Sequence, residues 1–250
     1  MMKDPTQTRQ NRTGITVNPH MASDMAQNAR ELTPFDPQGV TLETVRGVHL
    51  LEAPMAGTMP LPGSIKEAAA GAVRALLGQN MAVLLDALGA RLQFERTGAR
   101  LYEALLTKAR TLDTVEGGPT ESALVGIWSD EVAHFQLLQE TITGLGGDPT
   151  AVTPAANVQS VASMGILQVV TDPRFGMRES MHAILVAELT DKDGWQLLVR
   201  LAEALGQDEL ASSFRVALTV EEQHLTRVRG WLGAMTENLA TTGLSRAAAA

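Results

Sequence analysis

Cysteine is absent from this 250-residue chain. That excludes disulfides, thiolate zinc sites, iron–sulfur clusters and cysteine nucleophiles. An excess of positive charge is absent too: net charge is −8 and the pI is near 5.2, which disfavours nucleic acid or an anionic membrane as partner. No run of about 18 apolar residues occurs, so nothing is expected to span a membrane. The opening "MMKDPTQTRQNRTGITVNPH" has neither an apolar stretch nor twin arginines, so no export signal is read and a cytoplasmic location is expected. Strand-like alternation of useful length is missing, which leaves an all-α fold. Aromatics are scarce at 4%, with a single tyrosine.

With 44% hydrophobic residues the chain has enough apolar material for a proper core. Residues 1–63 are rich in Pro, Gly, Thr and Asn and show little periodicity. They read as an extended N-terminal arm, its first 30 residues mobile. A short helix is predicted over 64–77, opened by Ser64 and stopped by Gly78. Helical spacing of Leu84, Leu88, Leu92, Leu101 and Leu105 marks a first long helix over about 81–110. A second begins at "ESALVGIW" and ends in the glycines before "GDPT". Residues 147–173 form a long connection holding one short helix. A third long helix closes at Gly206, and a fourth runs from about Asp208 to 237, with "SRAAAA" as a fraying end. Two helical hairpins joined by a long crossover make a four-helix bundle over 64–240, followed by a tail over 241–250.

The chemistry-bearing residues follow that organisation. The first and third long helices each carry a lone glutamate in an apolar stretch, Glu95 and Glu188. The second carries Glu131 and His134, and the fourth Glu221 and His224. Within each pair the spacing of three places both side chains on one helix face. Glu131 follows Glu95 by 36 positions and Glu221 follows Glu188 by 33. In antiparallel hairpins of similar length all six side chains then lie at about the same depth, with pseudo-twofold symmetry.

Four carboxylates facing one another in an apolar bundle repel severely if bare. Two divalent cations would cancel their charge, with one imidazole for each metal. A single Glu-x-x-His is by itself more often a surface pair. Glu179 and His182 have the same spacing but no counterpart in the first long helix, and read as a solvated or capping cluster. Arg96 and Lys192 could instead pair with the lone glutamates at the surface. The ordered set of six is what a surface reading does not explain.

Around these positions, Tyr102 and Trp195 each lie seven residues after a lone glutamate. Tyr102 could donate a hydrogen bond to a ligand or act as a redox-active neighbour; the commoner fate is a core aromatic whose hydroxyl finds a partner. Trp128 could wall the pocket, and packing is again commoner. Gly98 leaves a gap that could admit a small molecule or allow close helix packing. Asp130 and Glu222 could orient an imidazole N–H. His20 and His49 lie in the arm and show no metal spacing.

The order lone Glu, Glu-x-x-His, lone Glu, Glu-x-x-His on four successive helices resembles the ferritin-like superfamily, in particular di-iron carboxylate proteins of the bacterioferritin and rubrerythrin type, over roughly residues 80–237. The resemblance implies a ferritin-like bundle holding two iron ions, with manganese or a mixed iron–manganese pair as alternatives. It implies bridging by Glu131 and Glu221, with Glu95 and His134 terminal on one metal and Glu188 and His224 on the other. It implies reaction with dioxygen or hydrogen peroxide. The cysteine-rich rubredoxin module of rubrerythrins is missing, so electrons would come from a separate donor. The arm and the helix at 64–77 lie outside the basic storage-ferritin fold and weaken the expectation of a 24-subunit cage; a homo-oligomer, such as a dimer, is expected. The alternatives are an iron storage or delivery protein and a non-enzymatic bundle stapled by its metals.

Overall fold

A computed structural model of the chain describes residues 42–53 and 79–248, with isolated positions 24 and 27. The expectations for the first 30 residues and for a helix over 64–77 lie outside these, apart from the two isolated positions. The chain divides into two compact units, 1–54 and 55–250. In the first, α1 (Leu42–Glu52) is an α-helix, where an extended arm was expected. It exposes Leu50 and Leu51.

Among the described residues, the second unit contains five helices: α2 (Gln79–Thr111), α3 (Glu121–Gly144), α4 (Pro154–Thr171), α5 (Met177–Ala204) and α6 (Asp208–Ala248). The described residues contain helices and no strands. None of the helices is long and apolar enough to cross a membrane. The four long-helix expectations correspond to α2, α3, α5 and α6. Two details differ. The crossover helix α4 has 18 residues rather than being short, and α6 continues through Ala248, because the alanine-rich end favours helix over fraying.

The starts and stops have local causes. Thr120 caps α3, its hydroxyl accepting from Ala123 N at 3.2 Å. Gly146 and Gly206 take φ of 69° and 66° where α3 and α5 end, a conformation other residues resist. Thr153 and Pro154 open α4, and α2 helps: Asp86 Oδ1 accepts from Ala155 N at 2.9 Å.

Helices α2 and α3 pair as one hairpin, α5 and α6 as the other, and α4 packs along both α2 and α5. The α2–α5 seam is antiparallel. Lys108 near the end of α2 donates to Ser180 Oγ at the start of α5, while Ala87 and Leu198 share a cavity wall at the opposite end. Two apolar clusters fill the bundle. One holds Leu101, Tyr102, Leu105, Leu124, Ile184 and Val228. The other holds Leu84, Leu88, Leu138, Trp195, Leu198 and Phe214. Each fully buried leucine contributes about 2 kcal/mol of transfer free energy. The positions of the site fall along their helices between these clusters, so the bundle provides a dry polar layer.

Candidate metal centre

Glu95, Glu131, His134, Glu188, Glu221 and His224 are all buried, none more than 7% exposed. They come from α2, α3, α5 and α6, one turn apart within each pair as the 3.6-residue repeat requires. The structure brings them together as two triads. Glu95, His134 and Glu221 form one, and Glu131, Glu188 and His224 the other. Within each, the donor atoms lie within 4.8 Å of one another.

The distances resolve the arrangement. His134 Nδ1 is 3.7 Å from Glu95 Oε2 and 2.7 Å from Glu221 Oε1. His224 Nδ1 is 3.6 Å from Glu131 Oε1, 4.0 Å from Glu188 Oε2 and 3.3 Å from Glu221 Oε2. Glu221 thus offers one oxygen to each imidazole. None of these contacts has the alignment of a hydrogen bond, even at 2.7 Å. His134 Nδ1, His224 Nδ1, Glu95 Oε2, Glu188 Oε2 and both oxygens of Glu131 and Glu221 are buried without a hydrogen-bond partner. Ligands about 2 Å from a shared cation sit roughly 3–4 Å from each other, the spacing found for most of these atoms.

The outer atoms, by contrast, are anchored. Trp195 Nε1–H donates to Glu95 Oε1 at 2.7 Å, and Tyr102 O–H donates to Glu188 Oε1. Each aromatic therefore reaches across the α2–α5 seam to the lone glutamate of the other half. His224 Nε2 lies 3.1 Å from Asp130 Oδ2. In the neutral tautomer that donates to Asp130, the Nδ1 lone pair would face carboxylate oxygens, an arrangement that a bound cation or a proton on Nδ1 would relieve.

Protonation follows from burial. Desolvation, reinforced by Glu221, pushes Glu188 up to about 8. Desolvation also carries Glu95 and Glu131 well above the ordinary carboxylate range. Burial opposes ionisation of Glu221 as well, but the imidazoles of His134 and His224 outweigh it and hold this carboxylate at about 2. His224 would be lowered by burial, yet Glu221, Glu188 and Asp130 raise it to about 9. The layer is short of positive charge.

Two further buried groups were not singled out from sequence. Arg91 Nε is 3.1 Å from Glu95 Oε1, and Arg91 Nη2 is 2.9 Å from Asp191 Oδ1. Asp191 also forms a carboxylate group with Glu95, Glu131 and Glu221. Burial raises Asp191 to about 6 despite Arg91. The available signal was their position: Arg91 precedes Glu95 by four residues and Asp191 follows Glu188 by three, on the ligand faces. The surface ion pairs considered for the lone glutamates do not form with Arg96, which donates instead to Gln93.

The remaining candidates separate cleanly. The gap at Gly98 is filled: a Cβ there would meet Glu131 Oε2 at 2.1 Å, so the glycine makes room for the carboxylate and opens no passage. Glu179 accepts from Gly176 N at 3.1 Å and caps α5, while His182 is exposed. Trp128 packs beside the first apolar cluster, its indole N–H buried and unpartnered. Glu222 belongs to a shallow surface depression with Gln223 and Arg227. His49 is exposed on α1, and His20 lies outside the described residues. No protein-family model, curated protein or solved structure matches this chain. The case for the centre rests on its own residues.

Proposed function

We propose that this chain is a ferritin-like dimetal carboxylate protein, with iron as the metal and dioxygen or hydrogen peroxide as the oxidant. The observation that carries the reading is the set of eight unpartnered donor atoms, contributed by all six residues and gathered in two triads. In this reading Glu95 and His134 hold one ion and Glu188 and His224 the other, with Glu131 and Glu221 shared. O/N donors of this kind accept iron or manganese.

Bound there, two reduced iron ions would supply two electrons to the oxidant. The protein's own residues do the rest. Trp195 and Tyr102 fix Oε1 of Glu95 and of Glu188, which leaves the unpartnered Oε2 atoms free to hold metal ions. Asp130 sets the tautomer of His224. The apolar clusters exclude water, which strengthens every charge interaction in the layer. A separate donor would return electrons for further turnover.

The test is metal content per chain after expression with iron and manganese both supplied and purification without affinity-column metals. About two ions per chain are expected, lost in Glu131→Ala, followed by oxidant consumption by the iron-loaded wild type. A folded protein that carries almost no metal and refuses Fe(II) anaerobically would refute the reading. Two ions without oxidant consumption would leave a structural staple. A large hollow assembly would indicate storage.

A further inference from the structure

The two halves of the centre are not equivalent, and the difference is written at three matched positions. Four residues before the lone glutamate stands Arg91 in one half and Ile184 in the other. Three residues after it stands Gly98 in one and Asp191 in the other. Seven after it stand Tyr102 and Trp195. Because the seam is antiparallel, Arg91 and Asp191 meet on the same side, beside Glu95. Ile184 and Gly98 leave the Glu188 side without either charge.

We propose that the buried Arg91–Asp191 pair tunes only the metal position at Glu95 and His134, so that the two positions load in sequence, the Glu188–His224 position first. This deepens the dimetal reading and rests on it. Three observations carry the order. Arg91 is 96% buried and is the one guanidinium at the centre among the described residues. It contacts Glu95 Oε1, which already accepts from Trp195, whereas Glu188 Oε1 accepts from Tyr102 alone. A carboxylate oxygen that faces a guanidinium charge as well as a hydrogen-bond donor gives less charge to a metal. The guanidinium, the nearer member of the pair to Glu95, stands beside that position and not beside the other, in surroundings that screen it poorly.

Asp191 offsets that charge. It is 2.9 Å from Arg91, and the guanidinium is held further by the carbonyls of Thr190 and Asp191, to which Nη1 donates at 3.3 and 3.2 Å. Counting ionised groups, five carboxylates and one guanidinium leave four negative charges for two divalent ions. The pair is thus neutral in total but local in effect. Gly194 secures its place: a Cβ there would come within 2.0 Å of Arg91 Nη1.

The experiment is a calorimetric titration of chelator-stripped full-length protein with Co(II), followed in parallel by visible absorption. Wild type is expected to bind two ions in two resolved steps at least tenfold apart. Asp191→Asn leaves the positive charge uncompensated and should weaken the second step at least tenfold while changing the first less than threefold. Arg91→Met should tighten the second step and spare the first. The double variant Arg91→Met/Asp191→Asn should return it toward wild type, a coupling that generalised damage does not produce. Gly194→Ala, which displaces Arg91 without removing charge, should disturb the second step alone and serves if Arg91→Met does not fold. Two identical steps in wild type would overturn the proposal, as would Asp191→Asn and Arg91→Met shifting affinity in the same direction. Fewer than two ions bound by wild type would instead refute the dimetal reading beneath it.

Discussion

Replacing Gly98 by alanine sets two effects of known sign against each other. Gly98 is inside α2, where alanine is favoured over glycine by about 1 kcal/mol on helix propensity alone. The new Cβ, however, would lie 2.1 Å from Glu131 Oε2 and 2.9 Å from its Cδ. Comfortable contact is about 3.5 Å, so the carboxylate must retreat by more than ~1 Å. Glu131 is 1% exposed and hemmed in by its neighbours. Overpacking of this kind costs roughly 1–3 kcal/mol. The expected balance is a net loss of about 1 kcal/mol, a Tm drop of roughly 2–4 °C for a chain of this size. Metal bonds of about 2 Å do not stretch by 1 Å, so binding should weaken at least tenfold, or about 1.4 kcal/mol. The control is Gly126→Ala on α3, whose Cβ would meet nothing within 4 Å and which should raise Tm. Scanning calorimetry with metal analysis decides. A Gly98→Ala protein stabilised like Gly126→Ala, with its full metal complement, would refute the placement of Glu131.

Two other predictions address charge and orientation. Glu188 at about 8 and His224 at about 9 both bind protons in the folded chain that they release on unfolding between roughly pH 5 and 9. The native state holds more protons in this window, so metal-free stability must fall as pH rises. The Glu188 shift alone is on the order of 5 kcal/mol. Glu221, held at about 2, loses its contribution only on acidification below its ordinary value, outside that window. Thermal melts of chelated protein should therefore show a lower Tm at pH 8.5 than at 5.5, with metal affinity rising over the same range; a higher alkaline Tm contradicts the buried layer. Asp130→Ala removes the partner of His224 Nε2 and should weaken metal binding roughly 10–100-fold, whereas His182→Ala should leave it unchanged. Equal effects of the two substitutions in a metal titration would mean that Asp130 does not orient the imidazole.

The helices were legible because leucines at three- and four-residue spacing and glycines at the breaks are local signals. The six buried Glu and His residues were legible for a different reason: the same pattern occurs twice, and a repeated order at matched spacing restricts depth as well as face. Arg91 and Asp191 were not legible. Their spacing places each one turn from a lone glutamate, but their meaning lies in an encounter across the α2–α5 seam that only the packed bundle creates. The same holds for Tyr102 and Trp195, whose spacing was visible but whose targets in the opposite half were not. Gly98 was read as space and proved to be occupied, since the sequence cannot say which neighbour fills a gap. The length of α4 was underestimated because its composition carries no charge to mark an exposed face.

The crossed bonds from Tyr102 to Glu188 and from Trp195 to Glu95 carry a consequence for how the chain matures. Neither hairpin contains a finished set of anchors, because each lone glutamate is steadied by an aromatic from the other. A nascent chain that has made only α2 and α3 therefore holds Glu95, Glu131 and His134 without the restraint that Trp195 gives Glu95. Commitment comes when α5 lies down along α2. On the dimetal reading, metal capture would coincide with the docking of the second half, since only then are both Glu95 and Glu188 anchored.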